Sequence, residues 1–211
     1  MIASATKSLS TESLIDSDVL FFLLREVLLT LSGSNGDEFC VIDPVIITFL
    51  IDSPQNNRKK RQSDENTLKE CKIEFEQAQS RDLTLLLPLH CSNHWSLMIY
   101  KPSWRQWYAC DSAGAYHSQR QLACLDALDR LGLVSPVDRN IMIYTYLPRQ
   151  PASYECGRYV LFYAFVVISN MKACGEQTIF DTGLEQQLQL VNETNRVKFE
   201  SFILKALEKW K

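Results

Sequence analysis

The sequence predicts an α+β domain built on a central, mainly antiparallel sheet packed by helices. Three observations carry that reading. Helical runs come first, one from Ser13 or Asp16 to about Leu31 and another opening at Pro44. Apolar and alternating segments then follow one another closely between Leu83 and Asp111, as neighbouring strands do. An apolar helical run after Cys156 and an amphipathic one near the C-terminus complete the chain. At 211 residues, 46% hydrophobic and 22% charged, residues 1–211 are expected to form a single domain with a sizeable core.

Residues 1–11 are small and polar and are expected to be disordered. The first helix carries acidic residues at its start and ends at Ser32-Gly33-Ser34-Asn35-Gly36. A short extended piece at Phe39–Ile42 precedes Asp43-Pro44, an N-cap followed by proline at the first helical position. Residues 53–64 are polar and read as an exposed loop. Its basic run Arg58–Arg61 suits a solvated loop or a nuclear-import signal. A polar helix over 65–79 follows.

Leu83–Leu89 reads as a strand buried on both faces. His94–Lys101 alternates, with Trp95, Leu97 and Ile99 on one side and Ser96, Met98 and Tyr100 on the other. Arg105–Asp111 is the next strand, and the short loops between them predict antiparallel neighbours. Gln119–Leu131 is an amphipathic helix with Leu122, Leu125, Leu128 and Leu131 on its stripe, closed by Gly132. Asn140–Leu147 supplies a further strand. A buried helix from Tyr154 to about Met171 follows, and a last one from Glu193 to Trp210 turns Val197, Phe199, Phe202, Ile203 and Leu207 inward.

The formal net charge of −3 gives no electrostatic case for nucleic acid and leaves a basic partner open. Seven cysteines, an odd number without a C-x-x-C pair, make neither a disulfide framework nor a zinc ribbon. No apolar signal core opens the chain, and Val160–Ile168, the longest apolar run, is too short for a bilayer. The expectation is a monomer in the cytoplasm and/or nucleus, with no membrane, cofactor or metal.

One cysteine has a distinctive setting. Pro148 and Pro151 require an extended approach, and Ser153 is a natural N-cap, so Cys156 falls in the first turn of the buried helix. Unpaired backbone N–H groups there favour a thiolate. Gly157 leaves room beside the sulfur. Taken alone, Cys156 reads more readily as a small core cysteine than as a nucleophile, since free cysteine is among the most buried residue types.

A nucleophile needs a base, and the base needs an orienting group. Of the three histidines, His117 reads as solvated in a loop, and His90 flanks a turn with Cys91. His90-Cys91-x-x-His94 resembles a metal cluster only superficially. His94 begins a strand, and Asp111 ends the neighbouring one, so a carboxylate can hold the ring. Gln150 offers an amide to an oxyanion, with the Cys156 backbone N–H as second donor.

The order His94-Trp95-Ser96, Asp111-Ser112, then Gln150-x-x-x-Tyr154-x-Cys156-Gly157 resembles the ubiquitin-like-protein proteases, the Ulp or sentrin-specific family of cysteine peptidases. The likeness is strongest from about 83 to 165 and is closest to the deneddylase branch, with SUMO proteases as near rivals. It implies Cys156 as nucleophile, His94 as general base and acid, Asp111 as orienting carboxylate and Gln150 as oxyanion donor. It implies Trp95 as a lid over the modifier's terminal glycines. The implied partner is a ubiquitin-like modifier, Nedd8-type or SUMO, with its protein conjugates. The family's Trp-Leu-Asn-Asp near the first helix is replaced here by Leu14-Ile15-Asp16-Ser17-Asp18, leaving Asp16 or Asp18 to meet a basic residue of the modifier tail. A decayed, non-catalytic binding module and a structural protein with inert cysteines are the rival readings.

Overall fold

The structure is a computed structural model that describes residues 1–28, 38–52, 61–114, 116–135, 141–144, 147, 149–174 and 193–209. The expected turn at 32–36, most of the polar loop and the ends of the 140–147 strand lie outside these residues.

The first helix, α1 (Ile2–Ser10), occupies the segment expected to be disordered. Ala5 and Leu9 are 0% and 4% exposed in the core, and Ile2 packs against them from the same face. Their spacing makes one helical stripe, and what orders it is the C-terminal end of the chain, which sequence inspection does not bring near. Helix α2 (Ser17–Phe22) continues into π-type turns over Leu23–Leu28. Strand β1 (Phe39–Val41) leads into α3 (Pro44–Asp52), where the Val45 N–H donates to Asp43 Oδ1 at 2.8 Å, the cap that the sequence predicted. Helix α4 (Arg61–Ser80) starts earlier than expected, so residues 61–64 are helical, not loop.

The strands β2 (Thr84–Cys91), β3 (His94–Lys101), β4 (Gln106–Cys110) and β5 (Ile141–Tyr144) complete a sheet in the order β1-β2-β3-β4-β5. The two central pairings, β2–β3 and β3–β4, are antiparallel, whereas β1 and β5 add in parallel at the edges. The β2–β3 connection is a two-residue turn at Ser92-Asn93, both with positive φ, as the twist of a tight hairpin requires. It starts β3 at His94.

Strand β3 is buried along its whole length because both faces of the sheet are covered. Trp95, Leu97 and Ile99 enter one core, with residues of α1, α2, α6 (Cys156–Cys174) and α7 (Glu193–Lys209). Met98 and Tyr100 enter the other, with residues of α3, α4 and α5 (Ser118–Arg130). Along α5 the stripe is rotated from the expected one: Cys124, Leu125 and Leu128 are buried, whereas Leu122 is 50% exposed. On α7, Phe199, Ile203 and Leu207 turn inward, but Val197 and Phe202 stay about half exposed.

A buried ionic network fixes the turn before Cys156. Arg196 on α7, 3% exposed, donates to Glu155 Oε1 at 2.7 Å and also pairs with Glu200. Arg158 lies 3.7 Å from Glu200 and donates to the carbonyls of Ser8 and Thr11, tying down the end of α1. Removing one member leaves a charge buried without its partner. Arg196→Ala should therefore lower unfolding free energy by about 3 kcal/mol in denaturant titration. An unchanged midpoint would show the network to be dispensable.

Candidate active site

Helix α6 begins at Cys156, after one 3₁₀ turn over Ser153–Glu155. The cap position falls on Ala152, whose side chain has nothing to cap with, and not on Ser153 as expected. The cysteine nevertheless sits at the helix's positive end, as predicted. No part of it reaches solvent. Its Sγ lies 3.9 Å from the Asn93 carbonyl oxygen and 3.8 Å from that of Ser153. Beside Gly157 the neighbour is Ile15, whose Cβ would stand 3.1 Å from an added methyl, so the space left by glycine is filled by the protein itself.

His94 and Asp111 come together as the sequence suggested. His94 Nε2 and Asp111 Oδ1 are 2.7 Å apart, at 6% and 2% exposure. Asp111 takes Nε2, and the Cys156 thiol is near enough to the ring to influence its titration. Burial alone lowers the His94 pKa, but hydrogen bonds and charge from Asp111 and then Cys156 outweigh it and raise it from 6.5 to about 9. Burial pushes Asp111 upward, and its bonds from His94, His117 and Ala113 bring it below the ordinary carboxylate range. The Ala113 N–H donates to Oδ1 and the His117 N–H to Oδ2, each at 2.9 Å. This turn closes through Gly114, with φ of +84°, whose bare Cα faces the Arg149 guanidinium.

His117 is not solvated. It is 2% exposed and lies edge-on to His94, ring centroids 4.6 Å apart. Its Nε2 faces the Cys91 carbonyl oxygen at 3.2 Å, which can only accept, so Nε2 carries the proton and Nδ1 accepts from Ser96 Oγ at 2.9 Å. Burial and the neighbouring His94 charge push its pKa down to about 4. The ring stays neutral and braces the turn that holds Asp111. The signal was present in the alternation: Ser96 shares the face of β3 with His94, so a partner of Ser96 must lie beside His94.

Gln150 is placed at the site. Its Nε2 donates to the Ala152 carbonyl at 2.9 Å, and Ser112 Oγ donates to its Oε1 at 2.6 Å. Trp95 is not a lid in this structure. It is 1% exposed, belongs to the core that α6 covers, and its Nε1 donates to the Ile15 carbonyl at 2.9 Å. The face of β3 that carries Leu97 and Ile99 carries Trp95 inward with them. A cleft of about 410 Å³ opens above the site instead, lined by Leu14, Asn93, His94, Tyr116, Gln150 and Tyr154 among others. Asp16 and Asp18 are exposed at the start of α2.

Burial pushes the other core thiols up, to about 11 for Cys40, about 12 for Cys71 and Cys124, and higher still for Cys110. Among the described residues, no group of three or more His, Cys, Asp and Glu side chains is arranged to hold a metal ion.

A desumoylating protease superposes with a TM-score of 0.61 at 14% identity, over 96% of this chain and 83% of that one. The C-terminal Ulp1 protease domain solved with Smt3, the yeast ortholog of SUMO, gives 0.58 at 15% identity, over 96% and 82%. The catalytic domain of the Chaetomium thermophilum Ulp1-like SUMO protease gives 0.55 at 18%, over 91% and 72%. These likenesses establish the fold. No curated protein sequence gives a match. Residues 15–188 match the Ulp1 protease family, C-terminal catalytic domain, and so span every residue of the His94, Asp111, Gln150 and Cys156 cluster. The chain belongs to the Ulp1 protease family of cysteine peptidases, the ubiquitin-like-protein proteases.

Proposed function

We propose that this chain is a thiol protease that cuts after the C-terminal Gly-Gly of a ubiquitin-like modifier, processing its precursor and/or releasing it from target lysines. The observation that carries the reading is the buried His94–Asp111 pair at 2.7 Å, with the Cys156 thiol near enough to help raise the His94 pKa. In this reading the Cys156 thiolate attacks the carbonyl carbon of the last glycine. His94 protonates the departing amine, and a thioester remains. Water, deprotonated by His94, then attacks the thioester and releases the modifier carboxylate and the thiol. Gln150 and the Cys156 N–H face the tetrahedral oxyanion.

The full burial of Cys156 suits a tail of glycines, since only a chain without side chains can pass between close walls to the sulfur. Trp95 would act from behind that wall, holding Ile15, while Leu14, Tyr116 and Tyr154 meet the tail. Exposed Asp16 and Asp18 are offered to a basic residue of the modifier.

A Nedd8-type modifier is the first reading, from the resemblance in the sequence. SUMO is the second, and the SUMO proteases among the similar solved structures favour it. The cytoplasm and/or nucleus is the proposed compartment. The test is cleavage of a panel of C-terminal fusions to Nedd8, SUMO and ubiquitin, alongside capture by each modifier carrying a C-terminal electrophile. One modifier should be cleaved about 100-fold faster than the others, the discrimination that a site rejecting wrong partners by clash and unpaired charge can reach. No cleavage and no capture with any of them would leave a binding module as the better account.

A further inference from the structure

The amide of Gln150 can serve an oxyanion only if its nitrogen, not its oxygen, is presented, and a free glutamine side chain has no reason to choose. Two contacts make the choice here. The Ala152 carbonyl can only accept, so the group 2.9 Å from it must be Nε2. The other end, Oε1, receives the Ser112 hydroxyl at 2.6 Å. Ser112 is itself held: it is 1% exposed, it follows Asp111 directly, and its carbonyl accepts the Gln150 backbone N–H at 3.0 Å. Gln150 therefore meets Ser112 through backbone and side chain at once. An amide nitrogen has two hydrogens, and the Ala152 bond uses one, leaving the second for the cleft that Gln150 lines.

We propose that Ser112 is a positioning residue that locks the Gln150 amide with its nitrogen toward the oxyanion position. This rests on the protease reading above. It also gives the residue after Asp111 a second duty, since one short turn then sets both the imidazole, through Asp111, and the oxyanion donor, through Ser112. Without the hydroxyl, Oε1 loses that donor at a part-buried position, and the amide gains freedom to turn toward solvent.

The test is a double-mutant cycle on the full chain, using the modifier fusion that the wild type cleaves. Ser112→Ala should lower kcat about tenfold with KM nearly unchanged, less than the ~100-fold or more that loss of an oxyanion donor outright causes. In the Gln150→Ala background the same change should cost less than about twofold, because nothing remains to be oriented. Binding of the intact modifier to Cys156→Ala should be the same with or without Ser112, whereas a modifier aldehyde, which forms a tetrahedral adduct on the thiol, should bind about tenfold more weakly to Ser112→Ala. Where Ser112→Ala does not fold, Ser112→Cys takes its place, with a thiol too weak a donor to hold the amide. Equal kcat, or the same loss in both backgrounds, would overturn the proposal. A wild type that cleaves no fusion overturns the protease reading itself and this inference with it.

Discussion

Cys156→Ala should abolish turnover while modifier binding survives. The thiol is the sulfur at the N-terminus of α6 that helps raise the His94 pKa, and the side chain left by the change is close in size, so the cleft should keep its shape. The expected loss in kcat is on the order of a thousandfold or more, down to what transition-state binding without a nucleophile can supply. Covalent capture by an electrophile-tipped modifier should vanish in the same variant. Binding measured by calorimetry should stay within about threefold, since only one heavy atom is removed from a position with no solvent exposure. Retained hydrolysis would remove Cys156 from the chemistry. A thiol reagent offers a complementary reading: burial holds Cys40, Cys71, Cys110 and Cys124 protonated, so Cys156 should be modified ahead of these four once the cleft admits the reagent.

Asp111→Asn should be nearly as damaging, although it changes a single atom. Every group facing the carboxylate is a donor: His94 Nε2 and the Ala113 N–H at Oδ1, and the His117 N–H at Oδ2. An asparagine must turn its NH₂ toward one of these donors whichever way it lies. It either loses the imidazole or opposes the turn that holds it. A fall in kcat on the order of 10³–10⁴ is expected, comparable to the loss of an orienting aspartate in a catalytic triad.

The pH profile should move with it. His94 is raised from 6.5 to about 9, so its ion pair is fully formed below the ordinary imidazole pKa and is lost as pH rises through about 9. Asp111 is depressed, so its charge persists until pH falls through that lowered value. The wild-type alkaline limb should thus fall near pH 9, and in Asp111→Asn it should move to lower pH, because the largest influence raising His94 is gone. An alkaline limb unmoved by the substitution would show that another group sets it.

Some of this was legible from local chemistry. The period-two alternation of β3 named its two faces correctly, because a strand's side chains must alternate whatever covers them. Asp43-Pro44 announced a helix start because a carboxylate at an N-cap satisfies its own neighbours. The meeting of His94 with Asp111 was also readable, as the start and end of adjacent antiparallel strands.

What failed to be legible depended on partners far along the chain. Residues 1–11 looked too polar to order, but Ala5 and Leu9 need only one stripe of apolar surface once the C-terminal core is there to receive it. His117 looked solvated because nothing near it in sequence announces that the Ser96 hydroxyl will donate to its Nδ1 and the Cys91 carbonyl will accept from its Nε2. Trp95 was expected at the surface of the cleft, but the Ile15 carbonyl and the core around α6 take it inside.

By itself, then, the sequence determined the α+β class, the strands, and the residue types needed for a thiol, an imidazole and a carboxylate. Only the tertiary structure decided which imidazole nitrogen faces Asp111, which way the Gln150 amide is turned, and that a neutral His117 lies behind the pair. The reason is physical. Periodicity and capping act over a few residues and leave their mark there, whereas hydrogen-bond direction and burial are set by groups that only folding brings within about 3 Å.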